Sequence, residues 1–324
     1  MRRFGNHFRQ APRVSSGFTL IEILVVVALI ALLMAILLPS LANAREQARA
    51  TVCGAHLRQI GLAARSYGET HRGWMAGSPN TSGNGARPGF LARPYEGDRF
   101  HFPSLHVFDW ANPLLVEMNT RPPDDFQARY EAAVTGVMQC PSNRRPADRV
   151  ELLETLLPEN TIAPSYAASR YFQYVGEGVK TGDVRGTLWW SEDSIPPNYA
   201  PRFERLEKPG VKAFLADAHV VSEDRGVLNN ANWGFSSHGA WRSHEMEDPA
   251  AYRGETWKSE YFRHRGAINI LAYDGHVELQ RDEDGRANGG QGLGARRARW
   301  WFPSGTQVEF LPSRRASEPK IIIP

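Results

Sequence analysis

Several common chemical signatures are missing from this chain. It has no G-x-S-x-G turn, no P-loop and no C-x-x-C pair. That removes the nucleophile elbow of a serine hydrolase, a glycine-rich phosphate cradle and a vicinal dithiol. The run Gly290-Gln291-Gly292-Leu293-Gly294 sits in a polar stretch rather than after a strand, so it does not qualify as a nucleotide loop. No catalytic constellation can be named, and a structural rather than enzymatic protein is expected. Net charge is also nearly absent. The formal value is +3, from 38 basic and 35 acidic residues. Residues 1–17 contribute four arginines (Arg2, Arg3, Arg9 and Arg13) and no acid, which leaves 34 basic against 35 acidic beyond Gly17, or −1. No global attraction to nucleic acid survives that subtraction. Cysteine is scarce, with only Cys53 and Cys140 present.

What the chain does have is one long apolar run. From Phe18 to Leu38 there are 21 residues, and only Thr19 and Glu22 carry polar side-chain groups. As a helix rising about 1.5 Å per residue, this is long enough to cross a hydrocarbon core of about 30 Å. Glu22 is the anomaly, because a carboxylate in such a helix needs a partner or an interface to snorkel to.

Gly17-Phe18-Thr19-Leu20-Ile21-Glu22, preceded by a short basic leader and followed by the apolar run, resembles the N-terminus of type IV pilins and type II secretion pseudopilins. Pro39 falls where that family often places a helix-loosening proline. The resemblance implies cleavage by a prepilin peptidase after Gly17 and N-methylation of the new terminus, Phe18. It further implies pairing of Glu22 with the Phe18 amine of a neighbouring pilin or pseudopilin subunit, and assembly through an inner-membrane platform. The implied location is a single-pass anchor in the inner membrane, with the N-terminus cytoplasmic and the head in the periplasm or at the cell surface. Physics supports the role of Glu22 independently, since a carboxylate in lipid is best stabilised by a cation on the next helix.

A rival route is written in the same stretch. Ala42-Asn43-Ala44 is an A-x-A site of the kind signal peptidase cuts, and cleavage there would leave a soluble protein starting at Arg45. Against it, the apolar run is longer than an ordinary signal h-region and contains Glu22. An uncut single-span anchor is a further alternative. Charge barely decides orientation, because four arginines precede the span and Arg45, Arg49 and Arg58 follow it.

Beyond Pro39 the helix is expected to continue. Cys53, Leu57, Ile60, Ala64 and Tyr67 recur at alternating spacings of four and three and form one apolar stripe. Pro39 cannot donate to the carbonyl of Ala35, so a kink or loosening is expected there. Gly54 and Gly61 each cost about 1 kcal/mol against alanine and point to close packing. Three segments are therefore expected: a leader at 1–17, a long helix at 18–67 and a head at 68–324. Within the helix, 18–38 would be transmembrane and 40–67 amphipathic. In the head, Asp124–Thr135 reads as a short helix stopped by Gly136, and Glu151–Leu157 as another. Val137–Cys140, Val211–Ala216, Ala267–Tyr273, Val277–Gln280 and Gln307–Leu311 read as strands. With 42% hydrophobic residues and 9 Trp a sizeable core can be buried. The fold class is α+β: a long N-terminal helix packed on an antiparallel sheet with loop insertions, pilin-like by resemblance.

Near the C-terminus, nine residues separate His264 from Asp274-Gly275. This H-x9-DG spacing, with Cys140-Pro141-Ser142 and Pro164-Ser165-Tyr166-Ala167, resembles segments of a large group of pilin-like bacterial proteins. Read physically, Ile268–Tyr273 is a strand and Asp274-Gly275 the favoured pair for a type I′ hairpin. Phe214–Val220 repeats the strand-Asp-x-His-Val pattern upstream, so Asp217, His219, Asp274 and His276 either converge as a carboxylate and imidazole metal site or cap two hairpins. Asp282 and Asp284 offer oxygen ligands for calcium, without a full loop motif. Arg296-Arg297-Ala298-Arg299-Trp300-Trp301 suits a single-strand or phosphate-binding surface, or arginine stems laid over tryptophans. His238 and His244 default to the surface. A Cys53–Cys140 bridge would close an 87-residue separation and contribute about 4 kcal/mol; a buried thiol at Cys53 is the alternative.

The expected function is a pilin-like structural subunit of a type IV pilus or type II secretion pseudopilus. The alternatives are a minor pilin or adhesin binding a surface polysaccharide, and a membrane-anchored metal-dependent hydrolase using Asp217, His219, Asp274 and His276. A head of more than 250 residues departs from the compact heads of major pilins and favours a specialised subunit.

Overall fold

The computed structural model describes residues 19–77, 110–120, 126–143, 165–168, 172–173, 176, 178–179, 195–217, 264–265, 267–281, 303–305, 307–308 and 321–322. The chain divides into two compact units, Met1–Arg45 and Glu46–Pro324. The boundary falls inside the first helix, so the amphipathic half of that helix belongs to the second unit rather than to a separate stalk.

Helix α1 runs over Leu20–Thr70 without interruption at Pro39. In the first unit its apolar side chains, Leu20 through Leu41, are exposed. This is the one helix among the described residues long and apolar enough to cross a membrane. In the second unit α1 behaves oppositely. Cys53, Leu57, Ile60, Ala64 and Tyr67 are all buried, along with Gly54, Gly61 and Gly68, which is the stripe expected from the 3-4 spacing.

That stripe packs on a four-stranded sheet of β1 (Tyr166–Ala168), β2 (Ala213–Asp217), β3 (Ala267–Ala272) and β4 (Val277–Arg281), in the order β1-β2-β3-β4 with every neighbour antiparallel. β2 and β3 are buried along their whole length, whereas β4 is a half-exposed edge. Near-continuous apolar runs such as Ala-Ile-Asn-Ile-Leu-Ala therefore mark the sheet centre. Close approach of helix and sheet depends on Gly61, where a Cβ would lie 3.0 Å from Leu271 Cδ1. Helices α2 (Ala111–Glu117) and α3 (Phe126–Val134) complete the same core through Leu114, Leu115, Ala133 and Val134. A small second sheet pairs β5 (Gln307–Val308) with β6 (Ile321–Ile322).

Three expectations are corrected. Val137–Cys140 is not a strand: Gly136–Met138 forms a 3-10 turn, with Gly136 at φ +57°. Cys140-Pro141-Ser142-Asn143 then closes a β-turn through Asn143 N–H donating to Cys140 O at 2.8 Å, with proline at its favoured second position. The β3–β4 connection is not type I′, which needs positive φ at both central residues. Only Gly275, at φ +97°, is left-handed, and Gly275 N–H donates to Ala272 O at 2.9 Å. This is the three-residue loop Tyr273-Asp274-Gly275 with a glycine bulge. Finally, β2 begins at Ala213 rather than Val211, because Pro209–Val211 is wound into a 3-10 turn. The expected helix Glu151–Leu157 lies outside the described residues.

Candidate functional site

Two sites follow from this framework, one at each end of the sequence argument. The first is the start of α1. Thr19 precedes the first helical residue, and its backbone N–H donates to Glu22 Oε2 at 2.8 Å, while Glu22 N–H donates to Thr19 Oγ1 at 3.3 Å. This reciprocal pair is a capping box, which satisfies two orphan donors of the helix end. Within one chain Glu22 is therefore an exposed cap on its own helix. Gly17 and Phe18 lie outside the described residues.

The second site is buried in the second unit. Cys53 on α1, Cys140 in the β-turn, Asp217 at the end of β2 and His264 just before β3 bring their ligand atoms within 4.8 Å of one another. Cys53 Sγ donates to Asp217 Oδ2 at 3.3 Å, His264 Nε2 lies 2.9 Å from the same oxygen, and Cys140 Sγ lies 3.5 Å from His264 Nε2. The first three are 0% exposed and His264 only 5%. His264 reaches this position because Arg265, at φ +57°, turns the chain so that His264 N–H donates to Ala267 O at 3.1 Å.

A surrounding layer of polar groups holds the four in place. The other imidazole nitrogen, His264 Nδ1, lies 2.9 Å from Glu46 Oε1, and Ser142 Oγ donates to that same carboxylate oxygen. Asn269 donates to Asp217 Oδ2 from both its backbone N–H (3.0 Å) and its side-chain amide (3.2 Å), and the amide also reaches Ala50 O on α1 at 3.1 Å. Tyr166 O–H donates to Cys53 Sγ at 3.5 Å. The segments singled out as Cys-Pro-Ser, Pro-Ser-Tyr-Ala and H-x9-DG thus meet around one buried cluster.

Electrostatics follow from this arrangement. Burial disfavours protonation of His264, but the hydrogen bond and charge of Asp217 outweigh it and hold the imidazole up at about 10. Burial likewise raises Glu46, yet hydrogen bonds from Ser142, His264 and Arg49 bring it below the usual carboxylate range. Burial pushes the Cys53 thiol far up. In the absence of a cation, both the thiol and the imidazole hold their protons.

The structure does not bring Asp217 together with Asp274 and His276. The register pairs Ala213 with Ala272 and Ala216 with Ile270, so Asp217 lies at one end of β2 and Asp274 beyond the other, roughly 13 Å or more along the strand. Asp274 and His276 instead pair with each other at 2.6 Å on the exposed hairpin. His219, Asp282, Asp284, His238, His244 and the Arg296–Trp301 segment lie outside the described residues. Cys53 and Cys140 do meet, but as thiols rather than as a disulfide. Sequence reading missed His264 as a site residue because it treated the H-x9-DG spacing as a hairpin label. The spacing itself carried the signal, since it sets a histidine at the start of a buried strand.

Comparison with known proteins agrees with the N-terminal reading. Residues 12–38 match a family described as a prokaryotic N-terminal methylation motif, and residues 42–189 match a protein family of unknown function, DUF1559. The type IV wide pilus major component PilA4 of Thermus thermophilus is 53% identical over 45 residues, 14% of this chain and 34% of that protein. The chain thus spans about a third of the curated relative it matches. No solved structure matches. The methylation-motif match and the 45-residue likeness to a pilin make the N-terminus of this chain similar to that of type IV pilins and pseudopilins, and the helix that follows is long and apolar enough to cross a membrane.

Proposed function

We propose that the chain is a structural subunit of a type IV pilus or a type II secretion pseudopilus. In this reading a prepilin peptidase cuts after Gly17 and Phe18 becomes the N-methylated terminus. The leader end is cytoplasmic, and the unit beginning at Glu46 lies on the far side of the inner membrane. An inner-membrane platform then gathers the 18–38 helices of successive subunits into a filament core. The observation that carries the reading is the apolar surface of α1 from Leu20 to Leu38, exposed throughout in the single chain. Lipid covers such a surface before assembly and identical helices cover it afterwards.

Glu22 gives the reading a specific test. Its local role as a helix cap is shared with Thr19, whereas its proposed role across the filament belongs to its charge alone. In cells, Thr19→Ala is expected to enter sheared surface filaments or the pseudopilus fraction. Glu22→Ala is expected to be cut after Gly17 and yet remain in the inner membrane. Entry of Glu22→Ala at the wild-type level would sink the proposal.

A further inference from the structure

We propose that Cys53, Cys140, Asp217 and His264 bind one structural zinc ion inside the second unit. This site is independent of filament assembly and differs from the metal site expected from the sequence. The donor set of two thiols, an imidazole and a carboxylate suits a borderline-soft, four-coordinate cation. The distances suit it as well. Zinc bonds of about 2.3 Å to sulfur and about 2.0–2.1 Å to nitrogen and oxygen set tetrahedral edges of roughly 3.3 Å between N and O, and about 3.5 Å between S and N or O. The corresponding separations are 2.9 Å for His264 to Asp217, 3.3 Å for Cys53 to Asp217 and 3.5 Å for Cys140 to His264. Along these three of the six edges the shifts needed are only a few tenths of an ångström, and all four ligand atoms lie within 4.8 Å of one another.

Two further observations point the same way. Metal-bound histidines characteristically donate their second ring N–H to a carboxylate, and Glu46 stands 2.9 Å from His264 Nδ1 in that position. Asn269 donates twice to Asp217 Oδ2, which fixes the oxygen facing the thiols. Such an outer layer exceeds what a merely buried pair of thiols needs. On binding, zinc displaces the thiol protons of Cys53 and Cys140 and any proton on His264 Nε2 into solvent. Two thiolates and one carboxylate, with a neutral imidazole, then exceed the 2+ charge of the ion by one and leave the bound cluster at −1. With four protein ligands and full burial the site leaves no position for water, so its role is to lock α1, the Cys140 turn, β2 and the start of β3 together.

The test uses the full-length chain in detergent, purified without chelator and challenged with zinc. Elemental analysis is expected to find one zinc per chain. X-ray absorption is expected to show two sulfur neighbours at about 2.3 Å and two lighter neighbours near 2.0 Å. Replacement of zinc by Co²⁺ should produce an intense near-ultraviolet thiolate-to-metal band, lost in both Cys53→Ser and His264→Ala. Should those variants fold poorly, the spectra of the wild-type chain decide alone. A Cys53–Cys140 disulfide in the folded chain, two thiols that stay metal-free under excess zinc, or zinc without sulfur ligation would each overturn the proposal.

Discussion

Leu271→Ala, paired with Gly61→Ala, tests how α1 is seated on the sheet. Leu271 is fully buried, lies opposite Leu215 and fills the space left by Gly61. Truncation removes three carbons, and the glycine across the gap has no side chain with which to collapse into the void. A loss of about 3 kcal/mol is therefore expected, within the range of about 2–5 kcal/mol for such changes. Gly61→Ala alone gains about 1 kcal/mol of helix propensity. Its new methyl would stand 3.0 Å from Leu271 Cδ1, and overpacking of that kind costs about 1–3 kcal/mol. The single change is thus neutral to destabilising. In the Leu271→Ala background the obstacle is gone, and the same methyl should stabilise by about 1 kcal/mol. The assay is urea unfolding of the four detergent-solubilised proteins followed by tryptophan fluorescence. A loss below about 1 kcal/mol for Leu271→Ala, or additivity of the two changes within about 0.5 kcal/mol, would refute this packing.

Three further outcomes are expected. Gly275→Ala places a side chain at φ +97° with nothing within 4 Å of its Cβ, so its cost is conformational alone, about 1–2 kcal/mol by urea titration. His264→Leu leaves Asp217 buried without the imidazole beside it and should cost at least about 3 kcal/mol in the metal-free protein, measured the same way. A strong chelator added to the zinc-loaded full-length chain should lower its thermal midpoint by several degrees, with recovery on zinc addition; an unchanged midpoint would contradict a structural ion.

Periodic and local signals were readable from the sequence, whereas the site depended on long-range register. The stripe Cys53, Leu57, Ile60, Ala64 and Tyr67 lies on one face because 3.6 residues make a turn, and nothing tertiary opposes it. The strands at Ala267–Ala272 and Val277–Arg281 were marked by the apolar stretch around Ile268 and Ile270, by Val277 and Leu279, and by the Asp-Gly between them. Val137–Cys140 misled because Val-Met-Gln-Cys has strand composition while Gly136 and Pro141 on either side force turns. Tyr166–Ala168 was not foreseen as a strand, since three residues carry no period and form an edge only because β2 is there to pair with.

The expected convergence of Asp217 with Asp274 and His276 is missing for a related reason. Asp217-x-His219 and Asp274-x-His276 look alike as text, but antiparallel pairing of β2 with β3 puts Asp217 at one end of β2 and the Asp274–His276 hairpin beyond the other. The same pairing sets Asp217 against Asn269 and the start of β3, where His264 and, across the helix, Cys53 stand. Sequence separations of 164 residues for Cys53 to Asp217 and 124 for Cys140 to His264 leave no local spacing to recognise. The bridge expected between Cys53 and Cys140 is replaced by two buried thiols in one cluster, and what surrounds them could be seen only in the fold.

Intact-mass and N-terminal peptide mass spectrometry of the chain from native membranes tests the central claim most directly. Pilin-type maturation predicts a chain that starts at Phe18 and carries one methyl group on its amine. A chain starting at Met1, or at Arg45 after cleavage behind Ala42-Asn43-Ala44, would contradict it, because the terminal amine proposed to pair with Glu22 would not exist.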